Sequence, residues 1–163
     1  MGASVAREQQ ERRVSECVLR NRAREMPIAS IVSEDHAYST PVVSSKHVIV
    51  ADDDPAILAM VERGLLGYRV SRARDGAEAL AILSGNDRVD LLIADYLMPT
   101  ITGDELVGRA RLWRPNLGVL IMTGHGALIA SADADWWRSV LHIDKPFELE
   151  TLRCRVHEMI GPP

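Results

Sequence analysis

The residues of this sequence best placed to do chemistry are aspartates that end apolar runs. Leu91, Leu92, Ile93 and Ala94 lead directly into Asp95, and Met98-Pro99 then breaks the backbone. A bounded apolar run of this length suits a buried strand. The residue before a proline is driven towards extended or turn backbone, which makes the Met98-Pro99 stretch a loop. Asp95 is therefore expected where a buried strand meets a loop, the usual place for ligands in an open α/β sheet. The same arrangement recurs along the chain. His47, Val48, Ile49, Val50 and Ala51 run into Asp52, Asp53 and Asp54; residues 117–122 end at Thr123; residues 139–143 end at Asp144-Lys145.

Brought to one edge, these groups form a site. Asp52, Asp53 and Asp95 would repel one another: at about 4 Å and an effective dielectric near 20, each pair costs about 4 kcal/mol. A cation relieves that, and an oxygen-only ligand set with room for water favours Mg²⁺. Lys145 brings a mobile positive charge suited to a phosphoryl oxygen, and Thr123 a hydroxyl donor for the same oxygens. With a carboxylate nucleophile at Asp95, these are the parts an aspartyl-phosphate needs. Phosphoryl transfer asks a protein mainly to position groups and neutralise charge, so no separate general base is required. Asp54 is read differently: followed by Pro55, it is a helix N-cap.

Stepping along the chain, the elements that would hold these groups alternate. A helix from Pro55 is expected to bury Ile57, Leu58, Val61 and Leu65, with Gly67 closing it. Residues 68–73 read as a second strand, and Asp75-Gly76 as a turn into a helix burying Ala77, Leu80, Ala81 and Leu83. After the Asp95 loop, Gly103 opens a helix with Leu106, Val107, Ala110 and Trp113 towards the sheet. A poorly periodic segment, 127–138, holds a fourth helix, with Trp136 and Trp137 open between part-buried core and partner contact. The last helix, 148–160, presents Leu149, Leu152, Val156 and Met159 on one face. Five strands alternating with five helices imply a doubly wound parallel sheet with all strand C-termini on one edge.

Length and composition restrict the function classes. The chain has 163 residues, enough for one domain, read as 46–163, and an N-terminal extension, 1–45. The extension carries an Arg-, Glu- and Gln-rich stretch with Val14, Cys17 and Val18 on one helical stripe, stopped by Pro27. A solvated extension, a docking helix, and translation starting at Met26 all fit it. A net charge of −4 gives no nucleic-acid footprint. Cys17 and Cys154 show no metal-ligand spacing and are read as thiols in a reducing cytoplasm. There is neither a signal-peptide h-region nor an apolar run of the roughly 20 residues that cross a bilayer, so a cytoplasmic location is expected.

Residues 48–55 (VIVADDDP), 90–103 (DLLIADYLMPTITG), 119–124 (VLIMTG) and Lys145-Pro146-Phe147 resemble the receiver domain of two-component response regulators over about residues 46–160. The resemblance implies a flavodoxin-like (βα)5 fold with strand order 2-1-3-4-5. It implies a phosphoacceptor at Asp95 served by a histidine kinase or a histidine phosphotransfer protein. Mg²⁺ would be held by Asp53 directly, Asp52 through water, Asp95 and the backbone carbonyl of Leu97. Thr123 and Lys145 would take the phosphoryl oxygens, and the Lys145-Pro146 bond matches one that is commonly cis. On this reading the chain is not an enzyme, although it assists its own phosphorylation and dephosphorylation. It is expected to be a stand-alone receiver, monomeric or dimerising on phosphorylation, acting on a separate protein effector.

This sequence departs from the family at several positions. His142 stands where the family's switch is usually tyrosine or phenylalanine, which offers less apolar area and a group that can charge. Gly124 replaces a commoner alanine, and Thr100 a frequent glycine. Leu97 and His125 occupy positions that tune aspartyl-phosphate lifetime. One competing reading is a receiver-like interaction module acting through its N-terminal extension. Another is a metal-dependent phosphatase, which lacks an acidic residue where Leu97 stands.

Overall fold

A computed structural model describes residues 46–85, 87–124 and 135–163. The expected N-terminal helix and linker, and His125, lie outside these residues. The described chain runs β1 (His47–Ala51), α1 (Pro55–Gly64), β2 (Arg69–Ala73), α2 (Gly76–Ser84), β3 (Leu91–Asp95), α3 (Gly103–Trp113), β4 (Gly118–Thr123), α4 (Asp135–Arg138), β5 (Leu141–Asp144) and α5 (Leu149–Ile160). All four strand pairings are parallel and the order is β2-β1-β3-β4-β5. This is the flavodoxin-like α/β arrangement. Among the described residues no helix is long and apolar enough to cross a membrane.

The central strands are buried because they carry nothing that needs water. Val48 to Ala51 in β1 and Leu91 to Ala94 in β3 are fully buried, as expected of parallel strands covered on both faces. Successive side chains point to opposite sides. Ile49, Ala51, Leu92, Ala94, Val119 and Ile121 pack with residues of α2, α3 and α4. Val48, Val50, Leu91, Ile93, Leu120 and Met122 pack with those of α1 and α5. His47 opens β1 without breaking the core. Its Nδ1 donates to the Arg88 carbonyl (3.2 Å), which leaves Nε2 to accept from the Ser71 hydroxyl (2.8 Å).

Local chemistry sets the helix ends. The Asp54 carboxylate accepts from Ala56 N at 2.8 Å with Pro55 in the first turn, so Asp54 caps α1. Asp75 caps α2 in the same way, accepting from Glu78 N at 2.7 Å. Arg114, at the C-cap of α3, reaches across to α2 and the turn after it. Its guanidinium donates to the carbonyls of Leu83 (3.0 Å), Gly85 (2.9 Å) and Asp87 (2.9 Å).

Three expected helix faces need correcting. Ala77 and Ala81 of α2 are exposed, and Gly76 and Ala79 are buried in their place. An alanine-rich helix has no polar face to set its rotation. Trp113 is 56% exposed instead of facing the sheet, because α3 ends there and Arg114 turns the chain towards α2. Ile57 is only partly buried. Strand ends also shift: β3 includes Asp95, β4 includes Thr123, and β5 starts at Leu141 instead of residue 139. Of the helix expected within 127–138, residues 135–138 are helical and 125–134 lie outside the described part.

Candidate functional site

The chain reverses its direction of travel across the sheet between β1 and β3, and a crevice opens beyond their C-terminal ends. Ala51 lies opposite Ala94 in the β1–β3 register, so Asp52 and Asp95 leave the sheet side by side. Asp52 is 1% exposed. Its backbone N donates to the Ala73 carbonyl (3.2 Å), and its Oδ1 accepts from Asp54 N (2.9 Å). That fixes the carboxylate and turns the chain so that Asp53 stands exposed beside it. One carboxylate oxygen each from Asp52, Asp53 and Asp95 lie within 4.8 Å of one another.

Lys145 enters this cluster from the end of β5. Its Nζ donates to Asp52 Oδ2 at 2.8 Å and stands 3.1 Å from Asp95 Oδ1. Its own backbone N donates to the Thr123 carbonyl at 2.7 Å, which ties the lysine to the end of β4. The Lys145-Pro146 peptide is cis. Thr123 itself is 1% exposed at the last position of β4. The strand ends thus bring together Asp52, Asp53, Asp95 and Lys145, with Thr123 one strand away from Asp95.

Burial pushes the Asp95 carboxyl above the usual carboxylate range; the Lys145 ammonium pulls it down and the Asp52 charge pushes it further up. For Lys145, burial works against the charge. The hydrogen bond to Asp52 and the charges of Asp52 and Asp95 outweigh it, and hold the ammonium above its ordinary value. The site is therefore an anionic pocket, buried at Asp52 and open at Asp53, partly neutralised by Lys145. An oxygen donor set of three carboxylates this close fits a small, hard divalent ion.

The loop after β3 is braced from both sides. Tyr96 N donates to the Met122 carbonyl (2.9 Å), and the Tyr96 carbonyl accepts from Gly103 N (2.8 Å). Gly103 begins α3 so close to this peptide that a Cβ there would stand 2.8 Å from the Asp95 carbonyl oxygen and 2.9 Å from Tyr96 Cα. Between them Leu97 is 52% exposed. Thr100 takes a left-handed φ of 72°, the conformation that glycine would adopt without strain.

His142 lies in β5 opposite Ile121 and stacks on Trp137, with ring centroids 4.4 Å apart and planes at 25°. Trp137 is 5% exposed, so the tryptophan pair belongs at least half to the core. Residue-by-residue reading missed Tyr96. Its ring stacks on Trp136 (5.9 Å, 10°) and meets Trp137 edge-on (6.5 Å, 71°). The available signal was that aromatics form only 4% of the chain, yet one follows Asp95 directly and two adjoin shortly before β5.

Comparison with known proteins agrees with this geometry. The sequence profile of the response regulator receiver domain matches residues 48–157. Response regulator MprA of Mycobacterium ulcerans is 33% identical over 121 residues, covering 71% of this chain and 50% of that protein. The chain thus spans about half the length of such relatives. Among solved structures, the chemotaxis protein CheY4 of Vibrio cholerae is similar with a TM-score of 0.63 at 30% identity, over 70% of this chain and 98% of that one. The receiver domain of the hybrid histidine kinase CckA aligns with a TM-score of 0.59 at 31% identity, over 70% and 98%. A five-stranded sheet in this order, carrying this acidic crevice and this profile over most of its length, makes the chain a member of the response regulator receiver domain family of two-component signalling.

Proposed function

We propose that this chain accepts a phosphoryl group on Asp95 from the phosphohistidine of a histidine kinase or histidine phosphotransfer protein, and passes the signal on by protein–protein interaction. The observation that carries this reading is the contact of Lys145 Nζ with both Asp52 and Asp95 in a crevice where Asp53 supplies a further carboxylate. Asp52, Asp53, Asp95 and the Leu97 carbonyl would hold Mg²⁺, which when bound neutralises phosphoryl oxygens.

The chain's own residues do the rest. An Asp95 carboxylate oxygen forms the new P–O bond as the donor's P–N bond breaks, and the departing imidazole nitrogen takes up a proton. Phosphorylation replaces the single Asp95 charge, which burial disfavours, by about two charges on the phosphoryl oxygens, and these need the cationic partners that the pocket offers. Lys145 exchanges its contact with Asp95 for one with a phosphoryl oxygen while keeping Asp52. The Thr123 hydroxyl donates to another oxygen. No substrate is turned over, so the chain acts as a carrier that assists its own phosphorylation and dephosphorylation.

The test is direct. Incubation with Mg²⁺ and a small phosphodonor such as phosphoramidate should add the mass of one phosphoryl group, and omission of the metal or Asp95→Asn should abolish the gain. A chain that gains no mass, or gains it equally in Asp95→Asn, is not a phosphoacceptor at this residue.

A further inference from the structure

Four rings lie in contact between the end of β3 and the middle of β5. Tyr96 shares a peptide unit with Asp95 and stacks on Trp136 with planes only 10° apart. Trp136 meets Trp137 edge-on at 5.5 Å and 77°, and Trp137 stacks on His142 at 4.4 Å. Tyr96 and Trp136 pack against the buried core to which Trp137 belongs. The column passes over β4 and joins two strands that are not neighbours in the sheet. From this contiguity, and resting on the phosphoacceptor reading above, we infer that Tyr96 is the positioning residue through which the state of Asp95 reaches His142 and β5.

The physical reason lies in how tightly each end is held. The Tyr96 backbone is fastened to Met122 through its N and to Gly103 through its carbonyl. A rearrangement around Asp95 therefore has little freedom to dissipate in the main chain. It turns the Cα–Cβ bond of Tyr96 instead, and a near-parallel stack does not survive a turn of one of its rings. Aromatic pairs hold preferred offset and edge geometries, and packed interiors pass between discrete arrangements instead of deforming smoothly. Trp137 is 5% exposed and packed within the core, so a change in its ring is passed to His142, on which it stacks. On this route the signal leaves through an aromatic layer beneath α4, and the ring at position 142 works by stacking.

The full chain tests this, with Mg²⁺ and phosphoramidate as the probe. Mass reports phosphorylation, and the His142 imidazole resonances report arrival of the signal at β5. Phosphorylation should shift those resonances in the wild type and in Tyr96→Phe, which keeps the ring. Tyr96→Leu should take up the phosphoryl group to the same extent, while its His142 shift falls by about fivefold or more. Trp136→Leu opens the column at its next member and should do the same; it decides the matter if Tyr96→Leu does not fold. A leucine variant that is phosphorylated and keeps the full His142 shift overturns the inference. A wild-type chain that takes no phosphoryl group overturns the phosphoacceptor reading, and this relay with it.

Discussion

Gly103 and Gly108 lie on the same helix, and the structure predicts that the same substitution will act on them with opposite sign. Glycine to alanine in a helix gains about 1 kcal/mol of propensity. At Gly108, exposed in the middle of α3, a new Cβ meets nothing within 4 Å, so Gly108→Ala should keep that whole gain. At Gly103 the new Cβ would stand 2.8 Å from the Asp95 carbonyl oxygen and 2.9 Å from Tyr96 Cα. Both are backbone atoms pinned by the braces on Tyr96, and overpacking of this kind costs about 1–3 kcal/mol. Set against the propensity gain, which is smaller at the first helical position, Gly103→Ala should lose about 1–2 kcal/mol. The two variants should therefore differ by about 2–3 kcal/mol, or roughly 10 °C in Tm for a domain of this size. Urea unfolding followed by circular dichroism measures this, with the slope unchanged if both variants stay two-state. Gly103→Ala should also accept phosphoryl groups more slowly, since the clash falls on the residue pair that carries the nucleophile. A Gly103→Ala chain as stable as Gly108→Ala would refute the reasoning, because it would mean that the start of α3 is free to move away from β3.

Further expectations concern the loop, the helix tie and the site. Thr100→Gly should stabilise the chain by about 1 kcal/mol, because a β-branched residue at a left-handed φ carries strain that glycine does not; the midpoint of thermal unfolding checks it. Arg114→Lys should lose about 2 kcal/mol, since a single ammonium cannot serve the three carbonyls that the guanidinium reaches; urea midpoints of the two chains give the difference. In EDTA, Asp95→Asn and wild type should be close in stability at low pH and diverge as pH rises. The folded state raises the Asp95 pKa from 3.8 by burial. Its protonated form therefore favours folding below that value, and the contribution is lost as pH rises through the folded-state value. The wild type should be the less stable chain at neutral pH, and a gap that closes with rising pH would contradict the sign.

Much of the fold was legible because its strands are so apolar. An uninterrupted run such as Leu91 to Ala94 can only be buried, and the polar residue that ends such a run (Asp52, Asp95, Thr123 or Asp144) marks the sheet edge. Asp54 announced its cap through Pro55. What failed to show were rotations and neighbours. The Ala-Glu-Ala-Leu-Ala-Ile-Leu stretch of α2 is apolar nearly all round, so its periodicity could not choose between Ala77 and Ala79. Trp113 fits the helical period of the buried face, yet the carbonyls that Arg114 reaches lie far away in sequence and pull the chain so that the indole faces solvent. His142 carries no mark of what it stacks on, because Trp137 approaches from a different element. At the site, residue types and strand ends foretold which groups gather there. The double contact of Lys145 with Asp52 and Asp95 depends on how far β5 stands from β1 and β3, which no local run of residues encodes.

The position of β1 between β2 and β3 also bears on how the site comes into being. β1 can pair with β2 after a single helical crossover, but its other neighbour arrives only after a further helix and strand have been made. Pairings of such sequence separation form against a larger loss of chain entropy and are slow steps in folding. Asp52 and Asp95 stand on opposite sides of that seam. Until it zips shut, the carboxylates are isolated side chains on a nascent chain, without the lysine and without mutual repulsion. Closure of the central seam is then the step that first sets Asp52 and Asp95 side by side, and the pairing of β4 and β5 adds Thr123 and Lys145 to them.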